Sequence, residues 1–494
     1  MMRNWKKYRL GEIATKIGSG ATPRGGKEQY LESGTFSLVR SQNVLDFSFT
    51  KNGLAYISEE QANGLRNVEL EENDILLNIT GDSVARVCQI PNDILPARVN
   101  QHVAIIRGKK DIIDQYFLKY FLLQPTFKRY MIGLASAGAT RNALTKSMIE
   151  SFEVFAPDLA TQSQIAQILT SFDDKIELLG QMNQTLETMA QTIFKEWFVD
   201  FNFPKMSESE FTELKNEQDK SSENEKSCQS SNSENPDSDK LPKGWRMGKL
   251  GEIVEFTNGY AFKSNELLST YSEDCYHIFK MGHIKKGGGL NIDGTKSYYK
   301  KTDAVKLSKY VLQKGDLLMC MTDMKGNVAL LGHTALMNES NKYIVNQRVG
   351  LLRVANTSNI DYPYLFILTN YPEFIAEIRS RANSGVQVNL STSEIKNTDI
   401  IIPPPEINKK YDSIAKPIFE KIFSNIEQIR TLTQLRDNLL PKLMSGAVVV
   451  VSGDSLDLAD SGALSELSAL SSESKTGVGA LSPEQQQNET KKLK

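Results

Sequence analysis

The strongest constraint on the fold is an internal duplication. The segment "WKKYRLGEI" (residues 5–13) is matched by "WRMGKLGEI" (245–253), and two of the three tryptophans occupy this equivalent position. Further segments match in the same order, about 240 to 247 residues apart: "ENDILLNITGDS" with "KGDLLMCMTDMK", "VNQHVAIIR" with "VNQRVGLLR", and "LTKSMIESFEVFAP" with "LSTSEIKNTDIIIP". Because the offset drifts by so few residues, the chain contains one duplicated unit with small insertions.

The stretch "GSGATPRGGK" (18–27) begins like a phosphate-binding loop. A Walker loop needs a glycine five residues before its Gly-Lys pair and a Ser or Thr after it. Here Ala21 holds the first position and Glu28 follows Lys27, where an acid would repel phosphate and supply no hydroxyl. The stretch therefore predicts an ordinary loop and no nucleotide site.

Each copy reads as a mixture of helices and strands. Short apolar runs such as "DILLNIT" and "HVAIIRG" are typical of buried strands, and polar, glycine-bearing turns separate them. The segment "DQYFLKYFLLQP" predicts a short helix that Pro125 stops. We therefore expect two similar mixed α/β domains within an α+β chain.

A long helical pattern follows each copy. Apolar residues recur every three or four positions from Ile165 to Trp197, including Met189, and again from Tyr411 to Leu443, including Ile414. Such stripes predict two helices that pair as a coiled coil. The alternative is that each helix lies on its own domain. A helix of about 35 to 40 residues is roughly 50 to 60 Å long, which exceeds the width of such a domain and favours the coiled coil.

The order of segments predicts six regions. They are a first domain (1–158), a long helix (159–203), a polar acidic linker (204–242), a second domain (243–404), a second long helix (405–445) and a Ser-rich tail (446–494). The linker and tail contain too few apolar residues to bury a core, so we expect both to be disordered.

The net charge of -2 conceals a segregation of charge. Acidic residues concentrate in the first long helix, the linker and the tail, whereas both copies of the duplicated domain are mildly basic. A basic surface suits a polyanion, although many ordinary surfaces share it. The apolar runs are too short to cross a bilayer, and no secretory signal is evident. The four cysteines form no CxxC pair, which indicates reduced thiols in a cytoplasmic protein.

With these features in order, the chain resembles the DNA-specificity subunit of type I restriction–modification systems. The resemblance is carried by the "LGEI" opening of each half, by "SGATP" (19–23) and "NGYAFKS" (258–264), and by the "NQH" and "NQR" strands. It also includes the proline-to-helix junctions "APDLATQSQIAQIL" and "PPPEINKKYDSIAK". The second junction departs from the family, since Lys409 and Lys410 replace the expected polar pair.

This resemblance implies two target recognition domains, each reading one half of a split sequence in double-stranded DNA. It implies that the two helices form an antiparallel coiled coil that acts as a spacer, with pseudo-twofold symmetry. The implied partners are two methyltransferase subunits, which use S-adenosylmethionine, and motor-nuclease subunits, which use ATP and Mg²⁺. The chain itself would bind no cofactor, catalyse no reaction and contact no membrane.

Polar and basic residues in the loops of each copy are the candidates for DNA binding, because phosphates attract Lys and Arg whereas base edges suit Arg, Asn, Gln, Ser and Thr. In the first copy they are Arg24, Lys27, Arg40, Gln42, Asn43, Thr80, Ser83, Arg86, Arg141 and Asn142. In the second copy they are Lys263, Lys280, His283, Thr322, Lys325, Asn327, Gln387 and Asn389. For Asn100 and Gln101, which recur as Asn346 and Gln347, we expect hydrogen bonding within a turn.

Two other classes of protein compete with this interpretation. A self-contained DNA methyltransferase needs Asn or Asp before Pro-Pro and an aromatic residue after it, but "IIPPPEI" has Ile402 and Glu406 in those places. A coiled-coil scaffold that never binds DNA is the second alternative. The four histidines show no spacing typical of metal ligands, and no catalytic triad or carboxylate pair is evident.

Overall fold

The computed structural model of the protein describes residues 5–23, 25–137, 142–204, 241–292, 294–324, 328–355, 359–384, 387–451 and 455–458. The chain forms two compact units. Unit 1 consists of Met1–Leu178 together with Gln428–Lys494, and unit 2 consists of Leu179–Glu427. The division passes through both long helices, so each unit contains part of each helix. The domain boundaries drawn from the sequence stay predictions.

Unit 1 contains three sheets that are built from the first copy, together with a separate hairpin. The strands of the copy are β1 (Lys6–Arg9), β2 (Ala14–Ser19), β3 (Phe36–Val39), β4 (Ala55–Ile57), β5 (Ile75–Asn78), β6 (Val87–Gln89), β7 (Ala97–Val99), β8 (Val103–Gly108) and β9 (Glu153–Ala156). One sheet is antiparallel with the order β2-β8-β5-β6, another has the order β4-β3-β7 with β3 and β7 parallel, and β1 pairs with β9.

The helices of the first copy are short. They are α1 (Leu10–Ile13), α2 (Glu59–Gly64), α3 (Gln115–Leu123), α4 (Pro125–Ser136) and α5 (Lys146–Glu150), and the long helix α6 (Leu159–Phe198) follows them. Asp114 caps α3 by accepting a hydrogen bond from the Phe117 amide. Pro125 ends this helix as predicted, but it also occupies the first turn of α4, where a missing N–H costs nothing.

Unit 2 repeats this plan. Its strands are β10 (Arg246–Lys249), β11 (Val254–Asn258), β12 (Cys275–Phe279), β13 (Tyr298–Lys300), β14 (Leu317–Cys320), β15 (Thr322–Met324), β16 (Thr334–Leu336), β17 (Tyr343–Val345), β18 (Val349–Val354), β19 (Asn383–Ser384), β20 (Gln387–Asn389) and β21 (Asp399–Ile402). The sheets β11-β18-β14-β16, β13-β12-β17 and β10-β21 have the same order and direction as those of unit 1. The sheet β15-β20-β19 has no three-stranded counterpart in the described part of unit 1.

The remaining elements complete both units. The helices are α7 (Leu250–Ile253), α8 (Tyr362–Asn370), α9 (Pro372–Ser380), α10 (Thr392–Lys396) and the long α11 (Pro405–Met444). After α11, β22 (Val448–Val451) and β23 (Ser455–Leu458) form the hairpin of unit 1. Among the described residues, we find no helix that combines the length and the apolar character of a membrane span.

The four-stranded sheet of each unit is buried on both faces. Along β5, Ile75 and Leu77 belong to one core, and Leu76 between them belongs to another. Along β14 of unit 2, Leu317 and Leu318 are divided between two cores in the same way. Successive side chains of a strand point to opposite faces, so a strand between two cores needs an unbroken apolar run. This explains "DILLNIT" and its partner "KGDLLMC".

An ion pair between a buried aspartate and a partly exposed arginine recurs at the same place in both units. In unit 1, Arg107 donates from Nε and Nη2 to the two carboxylate oxygens of Asp74, at 2.7 Å each. In unit 2, Arg353 binds Asp316 with the same geometry, at 2.8 and 2.9 Å. In both units the Asp carboxylate holds the pKa of the guanidinium above its usual range, because the ion pair favours the charged form. The two copies therefore share this contact of their scaffold.

The two long helices pack against each other within each unit. In unit 1, Ile165 and Leu169 near the start of α6 share a core with Leu439 and Leu443 near the end of α11. In unit 2, Phe194 and other residues at the end of α6 share a core with residues at the start of α11. The start of one helix thus meets the end of the other, which confirms the antiparallel coiled coil and the α+β fold class.

The seam between the helices differs from the apolar stripes in detail. Met189 and Ile414 belong to the stripes but are exposed, at 49% and 38%. Two pairs of polar residues meet between the helices instead. In unit 2 the Asn425 amide donates to Asn183 Oδ1 at 2.8 Å, and in unit 1 Arg436 binds Asp173 at 2.9 Å.

Candidate nucleic-acid interface

A short 3-10 turn begins the candidate interface in each unit. In unit 1 the turn is Ser41–Asn43, and the Arg40 amide donates to Asn43 Oδ1 at 3.1 Å. In unit 2 the turn is Met281–His283, and the Lys280 amide donates to His283 Nδ1 at 3.0 Å. A histidine nitrogen therefore replaces an amide oxygen as the cap of an equivalent turn.

Asn43 and His283 consequently stabilise the fold instead of facing a ligand. Asn43 is fully buried, and its amide also donates to the Thr50 carbonyl at 3.0 Å. His283 is 3% exposed, and burial lowers the pKa of its imidazole, so that the neutral ring accepts the Lys280 amide hydrogen. Both residues are removed from the set of DNA contacts expected from the sequence, because their polar atoms lie inside the protein.

Arg40 and Gln42 lie at the same turn and converge on one carbonyl. The Gln42 amide donates to the Gly53 carbonyl at 3.0 Å, and Arg40 Nη2 donates to the same oxygen. The Arg40 guanidinium also stacks over the Tyr30 ring, 5.2 Å from its centroid. Unlike Asn43, these two side chains are partly or fully accessible to solvent. Their own loop orders them, which lowers the conformational entropy that a ligand would need to remove.

A chain of side-chain hydrogen bonds joins the glycine-rich loop to the other loops of unit 1. Thr22 donates to Gln101, whose Nε2 lies 3.1 Å from His102 Nε2. His102 Nδ1 in turn lies 2.6 Å from Thr80 Oγ1. The directions agree if the neutral ring accepts at Nε2 and donates from Nδ1. The opening loop and the loop after β5 therefore belong to one polar surface.

Two further contacts complete this surface. The Gly81 amide donates to the Asn142 carbonyl at 3.1 Å, which brings the loop before α5 beside Thr80. The amide of Asn78, at the end of β5, donates to the Ser41 carbonyl at 2.9 Å and thereby attaches the 3-10 turn. Ser83 lies at the end of the 3-10 turn Gly81–Ser83, and Arg86 follows three residues later. The candidate residues of unit 1 that the structure describes are thus brought together.

One glycine of the opening loop is required by the packing of its own unit. A Cβ atom on Gly20 would lie 1.7 Å from the Val99 carbonyl oxygen, and one on Gly259 of unit 2 would lie 2.0 Å from the Asn346 carbonyl oxygen. These glycines let two segments of their own unit pass closely. Asn100 follows the same strand, and its Oδ1 accepts the His102 amide at 3.0 Å, which is the turn hydrogen bond expected from the sequence.

In unit 2 the corresponding loops form a β-ribbon, which we define as β15, β20 and β19. Thr322 pairs with Asn389, and Asn389 pairs in turn with Asn383. Asp323 supports the ribbon from within, since its carboxylate accepts the amides of Met324 at 2.9 Å and Leu330 at 2.8 Å. Of the other candidates, Lys263 is 78% exposed at the side chain, and Lys280 precedes the 3-10 turn.

Several candidates cannot be placed. Arg24, Arg141, Lys325 and Asn327 lie outside the described residues, as do the side chains of Lys27 and Gln387. Their assignment stays a prediction.

The sequence did not reveal the residues that hold the loops. Sequence reasoning did not single out Asn78 and His102 of unit 1 or Arg379 of unit 2 as residues that support the loops. Arg379 Nε donates to the Leu331 carbonyl at 2.9 Å and thereby fixes the end of the loop that follows β15. One signal was present: Asn78 is a polar residue within an apolar strand, and a buried amide must find partners.

The three described cysteines are buried and unpaired, as the sequence predicts, whereas Cys228 lies outside the described residues. Burial raises the pKa of Cys88 to about 12 and that of Cys320 to about 11, so both stay protonated thiols. Within the described ranges, no three His, Cys, Asp or Glu side chains cluster as metal ligands would.

Two copies of one α/β domain, each presenting polar loops at the ends of its strands and each leading into a long helix, define a duplicated recognition protein. The chain belongs to the family of type I restriction modification DNA specificity domains, whose model matches residues 2–188 and 242–434. As a member of this family it is a non-catalytic specificity subunit.

Known proteins extend this likeness over about nine-tenths of the chain. The type I restriction enzyme MjaIX specificity subunit of Methanocaldococcus jannaschii is 28% identical over 91% of this chain and 94% of its own length. The HindI specificity subunit of Haemophilus influenzae is 24% identical over 90% of this chain and all of its own. The crystal structure of a type I restriction–modification S subunit from M. genitalium covers 89% of this chain and 96% of its own, with a TM-score of 0.52. At 16% identity, that structure supports the fold alone.

Proposed function

We propose that the chain directs a type I restriction–modification complex to a bipartite DNA sequence, with one half-site read by each unit. One observation supports this proposal: the two units share contacts of their scaffold but differ in their polar loops. They share the Asp74–Arg107 and Asp316–Arg353 ion pairs, but the loops after β5 and β14 differ in residues and in backbone structure. A common scaffold with divergent polar loops suits two readers of different bases.

The proposed contacts are those candidates that are at least partly exposed as residues, although the hydroxyl of Thr322 is itself buried, or whose placement is undescribed. In unit 1 they are Arg24, Lys27, Arg40, Gln42, Thr80, Ser83, Arg86, Arg141 and Asn142. In unit 2 they are Lys263, Lys280, Thr322, Lys325, Asn327, Gln387 and Asn389.

The proposed partners supply the chemistry. Two methyltransferase subunits with S-adenosylmethionine would methylate adenine in the recognised sequence, and motor-nuclease subunits with ATP and Mg²⁺ would cleave unmodified DNA. This division of labour agrees with a chain that belongs to a family of specificity subunits. We place the complex in the cytoplasm, where its DNA substrate lies. The spacer role of the coiled coil stays a prediction.

Methylation-sensitive sequencing of host DNA tests the proposal. We expect a bipartite methylated motif that disappears when the gene is deleted. Restoring the gene with Asn142→Ala should relax one half of the motif, and restoring it with Asn389→Ala should relax the other half, so that each variant is the control for its counterpart. A motif that survives deletion, or a single variant that relaxes both halves equally, would contradict the proposal.

The two alternatives make different predictions. A self-contained methyltransferase would transfer labelled methyl groups to DNA when the purified chain is incubated alone with S-adenosylmethionine. A scaffold that never binds DNA would give an assembled complex without sequence preference in a mobility-shift assay. We expect no transfer in the first experiment and a clear preference in the second.

A further inference from the structure

An exposed methionine lies on the β-ribbon of unit 2. Met324 is 59% exposed, whereas Asp323 before it and Gln387 opposite it are polar. It ends β15, the strand that carries Thr322, and β15 pairs with β20, which carries Asn389. A single exposed apolar side chain is common on protein surfaces, so its exposure alone indicates nothing. Its place among candidate base contacts is what requires an explanation.

The pleat of the ribbon places Met324 on the same face as the polar candidates. Residues two apart on a strand share a face, so Met324 and Thr322 project to one side. Asn389 lies directly opposite Thr322, and Asn383 lies opposite Asn389, so these asparagines project to that side as well. The face therefore offers amide groups together with a thioether and its methyl group.

The opposite face attaches the ribbon to the unit. Asp323 alternates with its neighbours and accepts the amides of Met324 and Leu330, as described above. Arg379 donates to the carbonyls of Leu331 and Ala329, at 2.9 and 3.3 Å. Met324 is thus held on a supported strand, and a ligand that covers it does not need to order a free loop.

Unit 1 offers different chemistry at the matching position. Aligning "NITGDS" with "CMTDMK" places Asp82 where unit 2 has Met324. The backbones agree as far as Ile79 and Met321, since the Leu144 amide donates to the Ile79 carbonyl at 2.8 Å and the Leu390 amide donates to the Met321 carbonyl at 2.9 Å. Beyond these residues unit 1 forms the 3-10 turn Gly81–Ser83, whereas unit 2 forms β15. An acid in one unit and a thioether in the other suit different base edges.

We propose that Met324 reads the 5-methyl group of a thymine in the half-site bound by unit 2; this inference rests on the proposed function of the chain. The major groove of B-DNA admits two paired strands, such as β15 and β20, and the thymine methyl is an apolar feature of that groove. Asparagine amides on the same face match adenine, which donates from N6 and accepts at N7. The face therefore carries groups complementary to both bases of an A·T pair.

Replacing thymine by deoxyuridine tests this inference, since the exchange removes only the methyl group. The chain, assembled with its methyltransferase subunits, is bound at fixed salt to duplexes that carry the methylated motif, and each thymine is exchanged in turn. We expect roughly a four-fold loss of affinity at one position of one half-site, which is the effect of about one buried methyl group. Met324→Ala should bind thymine and deoxyuridine duplexes equally, and Met324→Leu should keep the preference.

Met247→Ala is the matched control, because Met247 is also an exposed methionine of unit 2, at 37%, but lies on β10 away from the ribbon strands. It should discriminate like the wild type. Unchanged discrimination by Met324→Ala, no position sensitive to deoxyuridine, or a unit 2 half-site without an A·T pair would each overturn the inference. An assembled complex without any sequence preference would instead overturn the proposed function, so the two failures are distinguishable.

Discussion

At the scale of single residues, the two units solve one local problem with different chemistry. The amide of the residue before each 3-10 turn needs an acceptor, which Asn43 Oδ1 provides in unit 1 and His283 Nδ1 provides in unit 2. An amide oxygen accepts at any ordinary pH, whereas an imidazole nitrogen accepts only while the ring is neutral. The turn of unit 2 is therefore sensitive to acid, and that of unit 1 is not.

This difference predicts a pH dependence of stability. Burial lowers the pKa of His283 in the folded state below its ordinary value of 6.5. Above pH 6.5 the ring is neutral in both states and adds no dependence; below it, the unfolded chain takes up the proton first, so stability falls as the pH falls. We expect His283→Asn to reduce this loss between pH 6.5 and 5, as measured by urea unfolding of unit 2.

The reciprocal substitution is the control. Asn43→His should introduce a loss of stability over the same pH range in unit 1. The wild-type dependence should persist in part in His283→Asn, because burial also lowers the pKa of His277 and His333. An unaltered pH profile in both variants would show that the cap is not the titrating contact.

Sequence reasoning selected residues of these turns as candidates but misjudged two of the side chains. It named Asn43 and His283 as DNA contacts together with Arg40, Gln42 and Lys280. It could not show that the side chains of Asn43 and His283 fold back onto the backbone. Such a cap depends on local dihedral angles and has no periodic sequence pattern.

At the scale of elements, the coiled coil combines an apolar seam with polar interruptions. Within unit 2 the amides of Asn183 and Asn425 meet in the seam, and Asn425 is fully buried. Within unit 1, Asp173 accepts from Arg436 and also from Lys119 and Tyr120. A polar pair in such a seam fixes the register, because any slip leaves buried groups without partners.

Leucine substitutions at Asn183 and Asn425 should show how strongly the two side chains are coupled. Asn425→Leu alone leaves the Asn183 oxygen without its donor, and we expect a loss of about 1–3 kcal/mol in the free energy of unfolding. Asn183→Leu with Asn425→Leu should recover this loss, because leucines pack well in the seam. Urea denaturation of both single variants and the double variant gives the coupling free energy, and additive effects would contradict a direct pair.

Spacing of three and four residues was enough to predict both helices and their pairing. It could not predict the seam itself, because a search for apolar residues passes over Asn183, Asn425 and Arg436. Met189 and Ile414 fit the spacing and still face solvent, which follows because the stripe is wider than the contact between two helices.

At the scale of the whole molecule, unit 1 is assembled from both ends of the chain. Leu439 and Leu443 of α11 belong to the same core as Ile75 and Leu77 of β5. The opening tryptophan, Trp5, lies beside Gly446 just after α11, 3.5 Å from the position of a Cβ on that glycine. The stability of the first copy therefore depends on residues more than 360 positions later in the chain.

Truncating one of these late residues should weaken the early domain. We expect Leu443→Ala, at a fully buried site, to lower the free energy of unfolding of unit 1 by roughly 2–5 kcal/mol. Hydrogen exchange at the amides of β5 and β8, which are paired strands of the first copy, measures this loss of stability. Leu178→Ala is the matched control, since this leucine of α6 is 49% exposed and should cost far less. Unchanged protection of β5 in Leu443→Ala would contradict the shared core.

The fold class was predictable at this scale because the duplication limits it: two copies of one plan must give two similar domains. The division of the described chain into units was not predictable. Domain boundaries drawn from composition follow the chain, whereas the core of unit 1 joins segments that no periodicity connects.

This arrangement also determines the order in which the two units can fold during synthesis. The ribosome delivers Leu179–Glu427 as one uninterrupted stretch, so unit 2 can complete its core while the last helical turns are still unmade. The amino-terminal domain is synthesised first, but its hydrophobic core stays incomplete until Leu439 and Leu443 emerge from the ribosome. A nascent chain that stalls near its end would therefore carry a finished second reader and an unfinished first one.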